Sequence, residues 1–152
     1  MASTAGWSAR TGGSILGDKT RLLARANLGL TAKDQLSQLP ASVRFFSGGD
    51  RSVRGYEFQS LGPTDPDGNV LGGSHQVDLS LELDRLVREN WAIAAFVDSG
   101  TAFEETDFDF STGVGLGVRW YSPLGPIRLD FAHPLDDPDR SLRIHISLGP
   151  DL

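Results

Sequence analysis

The chain has 152 residues, with 14 Lys and Arg against 20 Asp and Glu, a formal net charge of -6. That balance argues against a general nucleic-acid binder, which needs a basic surface to displace phosphate counterions. Cysteine is absent, so no disulfide framework or cysteine-based metal site can form, and no run of about 18 apolar residues exists to cross a membrane as a helix.

The N-terminus, Met1 to Gly13, is small and polar and lacks the apolar stretch of a signal peptide. Residues 1–19, with Gly12-Gly13 and Gly17-Asp18, are expected to be the remnant of a preceding strand and turn. If the chain sits in a membrane, a piece upstream of it is expected.

From there on the dominant period is two, the period of β-strands. In the first clear segment Leu22, Ala24, Ala26, Leu28 and Leu30 share one face, while Arg21, Arg25, Asn27 and Gly29 share the other. The second sets Val77, Leu79, Leu81 and Leu83 against Gln76, Asp78, Ser80, Glu82 and Asp84. The third puts Trp91, Ile93, Ala95 and Val97 opposite Ala92, Ala94, Phe96 and Asp98. In the fourth, Val114, Leu116, Val118 and Trp120 oppose Gly113, Gly115, Gly117 and Arg119. The fifth alternates Ile127, Leu129 and Phe131 with Arg128, Asp130 and Ala132. The last, over about residues 141–149, alternates Leu142, Ile144 and Ile146 with Arg143, His145 and Ser147.

The pattern thus predicts an all-β chain of about six antiparallel strands. Their connections alternate in length. Short turns fall near residues 87–90 and 122–126, and longer polar loops cover residues 31–75, 100–110 and 134–140. Tight turns at one end and long loops at the other are the habit of an up-and-down transmembrane barrel. A soluble sandwich also alternates, but its polar face is merely solvated. Here that face carries several ionisable side chains per strand, as a watery lumen does. Closed outer-membrane barrels begin at about eight strands, so about six make a partial barrel.

The segment spanning residues 44–56 reads Arg-Phe-Phe-Ser-Gly-Gly-Asp-Arg-Ser-Val-Arg-Gly-Tyr. Its Val53-Arg54-Gly55-Tyr56 run resembles the Val/Ile-Arg-Gly-Phe/Tyr signature of the bacterial outer-membrane assembly, or surface antigen, superfamily. The preceding Gly48 and Gly49 fit that family's aromatic–Gly-Gly pattern. Further matches follow in order: Gly72-Gly73-Ser74, Phe96-Val97-Asp98-Ser99-Gly100, the run from Gly115 to Ala132, and the ending Leu148-Gly149-Pro150-Asp151-Leu152. The resemblance covers roughly residues 19–152, and an ordered set of this kind is far more specific than one Arg-Gly-Tyr. The last two pieces look most like the barrel subunit of the translocation and assembly module branch.

The resemblance implies a C-terminal barrel portion, residues 20–152, of a longer outer-membrane protein with periplasmic domains and about sixteen strands. It implies that the loop over residues 31–75 folds back into the lumen. It also implies placement in the outer membrane of a Gram-negative bacterium. The implied work is insertion or translocation of other proteins, with no bond-making chemistry. Outer-membrane lipid, client outer-membrane or secreted proteins and a periplasm-spanning partner protein would be its partners, with no cofactor and no nucleic acid. The alternatives are a passive outer-membrane pore or two-partner secretion transporter, and a soluble β-sheet binding module.

Strand parity places Glu82 and Asp98 on the polar face of consecutive strands joined by a short turn. Two carboxylates at one site repel, and a guanidinium between them relieves the repulsion. Arg54 is the candidate for that role. The resemblance implies the same pairing, since the signature arginine of the family contacts acidic residues of the inner wall. The expected result is a clasp that places the loop. The other reading is that Glu82 and Asp98 simply face lumen water.

Gly113, Gly115 and Gly117 alternate strictly within a strand, with no Lys-Ser/Thr and no following helix, which argues against a nucleotide loop. They read instead as a smooth inner wall that lets the loop approach closely. His75, His133 and His145 lie on separate elements without metal-ligand spacing, and no nucleophile elbow is present. The carboxylates of the 63–69 turn lack the closing Glu of a calcium loop.

Overall fold

The computed structural model describes residues 6–31, 40–104, 108–137, 139 and 141–149. Among them run seven strands: β1 (Gly6–Leu16), β2 (Thr20–Thr31), β3 (His75–Arg88), β4 (Trp91–Phe103), β5 (Ser111–Ser122), β6 (Gly125–Pro134) and β7 (Arg143–Leu148). They form one antiparallel up-and-down sheet in the order β1-β2-β3-β4-β5-β6-β7. Among the described residues β1 and β7 are not paired with each other, so the sheet is a partial barrel.

The expected strands all form, with modest changes at their ends. β4 runs on to Phe103, into the stretch expected to be loop, because its partner β3 continues to His75 opposite it. β7 is shorter than the stretch over residues 141–149 and ends at Leu148. The seventh strand lies within residues 1–19, where only a remnant was expected. Its eleven residues pair with β2 from Gly6↔Thr31 to Leu16↔Arg21. Gly12, Gly13 and scattered Ser and Thr blur its alternation, and it is the complete ladder offered by β2 that makes it a strand.

Directly paired residues of an antiparallel sheet share a face, and the registers sort the side chains cleanly. One row across β2 to β7 is Leu23, Glu82, Phe96, Gly115, Ala132 and Arg143. Its neighbour is Arg25, Ser80, Asp98, Gly113 and Pro134. The next is Arg21, Asp84, Ala94, Gly117, Asp130 and His145. All three rows face the concave side. Asp78, Glu82, Asp84, Asp98, Arg119, Arg128 and Asp130 are buried there.

The convex side is the reverse. Leu79, Leu81, Leu83, Ile93, Val97, Leu116, Ile144, Ile146 and Leu148 are exposed on it. An apolar outside around a polar inside is the arrangement of a membrane barrel and the opposite of a soluble sheet. Trp91 and Trp120, paired across β4 and β5, stack on the outer face at the end of the short turns, with ring centroids 5.9 Å apart. Aromatic residues at that height form the interfacial girdle of such barrels.

The long connection between β2 and β3 fills the concave side. After a short 3-10 turn at Ala41–Val43 it is tied to itself by three isolated bridges, Phe45↔Gly73, Ser47↔Leu61 and Thr64↔Val70. The core of the described molecule is the seam between this loop and the inner wall, with Val53, Tyr56, Phe96, Ala92 and Ala132 buried in it.

Candidate functional site: an inward loop clasped to the barrel wall

Two consecutive glycines turn the loop inward. Gly48 and Gly49 adopt φ of 103° and 104°, a region that side chains avoid. A side chain at Gly48 would also strike the carbonyl of Glu57. Upstream, the Phe45 ring lies over Gly29 of β2 and the Phe46 ring over Gly72, so the aromatic pair seats where no Cβ stands in the way. Ser47, completely buried, hydrogen-bonds through Oγ to the Asp78 carboxylate of β3, which Gln76 Nε2 also reaches at 2.6 Å. This anchor carries no sequence signal beyond parity.

The turn then delivers Val53, Arg54, Gly55 and Tyr56 against the wall. Val53 packs over Gly100 of β4, where a Cβ would collide with its side chain and with Asp78. The backbone of Gly55, at φ 100°, presses on the chain of His133 and Pro134 at the end of β6. The Tyr56 hydroxyl lies 3.2 Å from the carbonyl oxygen of Thr112 and 3.3 Å from Asp136 Oδ2.

Arg54 is 2% exposed and lies at the centre. Its Nε donates to Asp98 Oδ2 at 2.6 Å and its Nη2 to Asp98 Oδ1 at 2.9 Å. Its Nη1 donates to Glu82 Oε2 at 2.6 Å and to Asp130 Oδ2 at 3.0 Å. Its backbone N–H adds a third bond to Asp98, at 3.1 Å. The guanidinium carbon sits 3.5 Å from the centre of the Phe96 ring, a cation–π contact. Burial works against this charge, but the hydrogen bonds and charge of Asp98, with Glu82 and Asp130 behind it, outweigh burial and raise the guanidinium pKa above its ordinary value.

The strands thus bring Arg54, Glu82 and Asp98 together, and they add three residues that parity alone did not single out. Asp130 of β6 is the third carboxylate. Arg119 of β5 reaches it through Nη1 at 2.5 Å and lies 2.9 Å from Glu82 Oε1 through Nη2. Arg128 of β6 donates to the same Glu82 oxygen at 2.6 Å. Three guanidinium groups therefore face three carboxylates, so the cluster is formally neutral. Neutrality of this kind is what lets so many charges be buried together. Arg25 joins from β2 through Ser80, whose hydroxyl donates to Asp98 Oδ1 at 2.6 Å.

The three glycines of β5 divide their work. At Gly113 a Cβ would collide with the carbonyl oxygen of Arg54, so this is where the loop backbone lies on the wall. At Gly115 it would meet the Phe96 ring and the Phe131 carbonyl, and at Gly117 the Asp130 and Arg119 side chains. Only Gly113 touches the loop itself, whereas the other two clear space for the groups that hold Arg54. Among the described residues no group of His, Asp and Glu is placed to hold a metal ion.

The model of the Omp85 superfamily domain matches residues 8–151, nearly the whole chain, from within β1 to beyond β7. The chain belongs to the Omp85 superfamily. Its sheet is a segment of an outer-membrane β-barrel of a Gram-negative bacterium. Similar curated proteins include the outer membrane protein assembly factor BamA of Nitratidesulfovibrio vulgaris, 29% identical over 140 residues. That alignment takes in 84% of this chain and 18% of the relative. BamA of Neisseria meningitidis serogroup B is 27% identical over 155 residues, covering 74% of this chain and 19% of the relative. The chain spans less than a fifth of the length of these Omp85 relatives. Among solved structures, BamA from Haemophilus ducreyi lacking POTRA domains 1–3 superposes with a TM-score of 0.72. The match covers 94% of this chain and 33% of that one, at 22% identity, and speaks for the fold.

Proposed function

We propose that the chain serves as the C-terminal barrel portion, over residues 20–152, of an Omp85 protein that inserts or assembles other proteins in the outer membrane. The observation that carries this reading is the inward loop, whose Val53-Arg54-Gly55-Tyr56 run is clasped to the wall by Glu82, Asp98 and Asp130. A loop held over the concave face fills space that a diffusion pore leaves open, so its presence favours handling of proteins over passage of small solutes. The likeness to BamA proteins, in name assembly factors, supports the same reading. No bond need be made or broken. The clasp is a positioning device, and the work is done by strand pairing at a barrel edge.

Lipid would cover the convex face, whose leucines and isoleucines are exposed in rows. Clients would be outer-membrane or secreted polypeptides, with a periplasm-spanning protein as further partner. Within the superfamily, the run Gly125-Pro126-Ile127-Arg128-Leu129-Asp130-Phe131-Ala132 and the ending Leu148-Gly149-Pro150-Asp151-Leu152 support the translocation and assembly module branch.

The test is reconstitution of the full-length protein in lipid vesicles with a urea-unfolded barrel protein as client. Accelerated folding of the client over empty vesicles is expected, together with its loss when Arg54 is replaced by Ala. Ion or solute conductance with no effect on client folding would support the passive pore instead.

A further inference from the structure

The signature loop has a second attachment, at the far edge of the sheet. The Gly55 N–H donates to Nε2 of His145 on β7 at 3.1 Å, and Nδ1 of the same ring hydrogen-bonds the Asp50 carboxylate. A ring nitrogen that accepts carries no proton. The neutral ring therefore holds its proton on Nδ1, donates to Asp50 and accepts from Gly55, joining two points of the loop that flank Arg54. Two residues earlier on the same face, Arg143 donates to Glu57 Oε1 at 2.6 Å. This second pair is partly exposed and adds little by itself.

β7 is the element most in need of such ties. It has six residues and pairs with β6 from Ile127↔Leu148 to Ala132↔Arg143. Its other edge has no strand partner among the described residues. Alternate residues Ile144, Ile146 and Leu148 point outward, mostly exposed, with only Phe131, Leu129 and Ile127 of β6 paired beside them among the described residues. What holds the strand is one ladder and the loop. The second edge of such a strand is where its partner can be exchanged for an incoming strand.

We propose that His145 and Asp50, with Arg143 and Glu57 beside them, form a latch through which the signature loop holds β7 in place. The latch sets how readily the second edge of β7 rearranges to accept a strand from a client polypeptide. This rests on the assembly reading above. His145 is a positioning residue here, acting through the loop and the strand and not on any bond.

The test uses the full-length protein in lipid vesicles and reads two quantities separately: amide hydrogen exchange of β7 and folding of an unfolded barrel client. His145→Ala is expected to speed exchange of the β7 amides about tenfold, the scale set by one or two lost hydrogen bonds, and to leave the β3 and β4 amides unchanged. His145→Gln, whose one amide group stands in for the two ring nitrogens, should recover part of the protection. Asp50→Ala leaves β7 itself intact and guards against a variant that fails to fold; it should mimic His145→Ala, and the double variant should add less than twofold. Exchange of β7 within twofold of wild type in both single variants overturns the latch, as does full multiplication of their effects. Wild-type vesicles that fold no client overturn the assembly reading, whatever β7 does. Faster exchange without altered client folding overturns the control of the edge while the contact itself stands.

Discussion

Arg54 grips Asp98 with two edges at once, Nε on one carboxylate oxygen at 2.6 Å and Nη2 on the other at 2.9 Å. The fork fits the carboxylate, and the remaining nitrogen is left for Glu82 and Asp130. One planar group thus supplies the central attachment of the loop, beside those of Ser47, Gly55 and Tyr56.

Arg54→Ala removes one of three buried cations and leaves three carboxylates with two. Loss of one member of a buried ion cluster costs about 3–5 kcal/mol. The loss falls first on docking of the loop, since the ladders from β1 to β6 do not run through it. Limited proteolysis is expected to cut within residues 44–61 in the variant and not in wild type, with heat-modifiable mobility of the barrel unchanged. Arg54→Lys should protect only in part, because an ammonium cannot reproduce the fork.

The carboxylates should rank. Asp98 accepts from the Arg54 backbone, Nε and Nη2 and from Ser80, whereas Asp130 accepts from Arg54 Nη1 and Arg119 Nη1. Asp98→Asn is expected to loosen the loop more than Asp130→Asn by about 1–2 kcal/mol, on the scale of one or two charge-assisted bonds. The ratio of proteolysis rates of the two variants measures it.

Gly113→Ala places a methyl group against the Arg54 carbonyl oxygen, with backbone on both sides and no flexible side chain to give way. Overpacking of this kind costs about 1–3 kcal/mol. Faster loop cleavage is expected in this variant. Gly17→Ala, which would meet nothing within 4 Å, is the control and should leave cleavage unchanged.

On the other face, Leu81 is exposed near the middle of β3, between Ala24 and Val97. Leu81→Arg is expected to cost roughly 2–4 kcal/mol of barrel stability in a bilayer, and less if placed near the strand ends. Equilibrium unfolding in denaturant, followed in lipid vesicles, reads this directly. An effect near zero would mean that the convex face does not meet lipid.

The sheet was legible because its period of two survives in the chain from β2 to β7, and parity assigns Glu82 and Asp98 to the face on which they lie. β1 was not, since Gly12-Gly13 and its Ser and Thr residues interrupt the apolar alternation and its strand state is supplied by β2. Asp130, Arg119 and Arg128 had the right parity too. What hid their role is reach: Arg54 contacts β3, β4 and β6 at one point, and that depends on the empty space over the glycines of β5. The Ser47–Asp78 and His145–Asp50 contacts join residues 31 and 95 positions apart, and nothing local in either partner marks them.

The separations along the chain from Arg54 to its three acids are 28, 44 and 76 residues. Its binding site is complete only after β3, β4 and β6 have taken their places side by side. Contacts of such long range form late, because the loops they close must first be ordered. Seating of the arginine is thus expected to report on maturation: a sheet with a strand out of register would have no full set of acids to offer, and its loop would stay open to proteases.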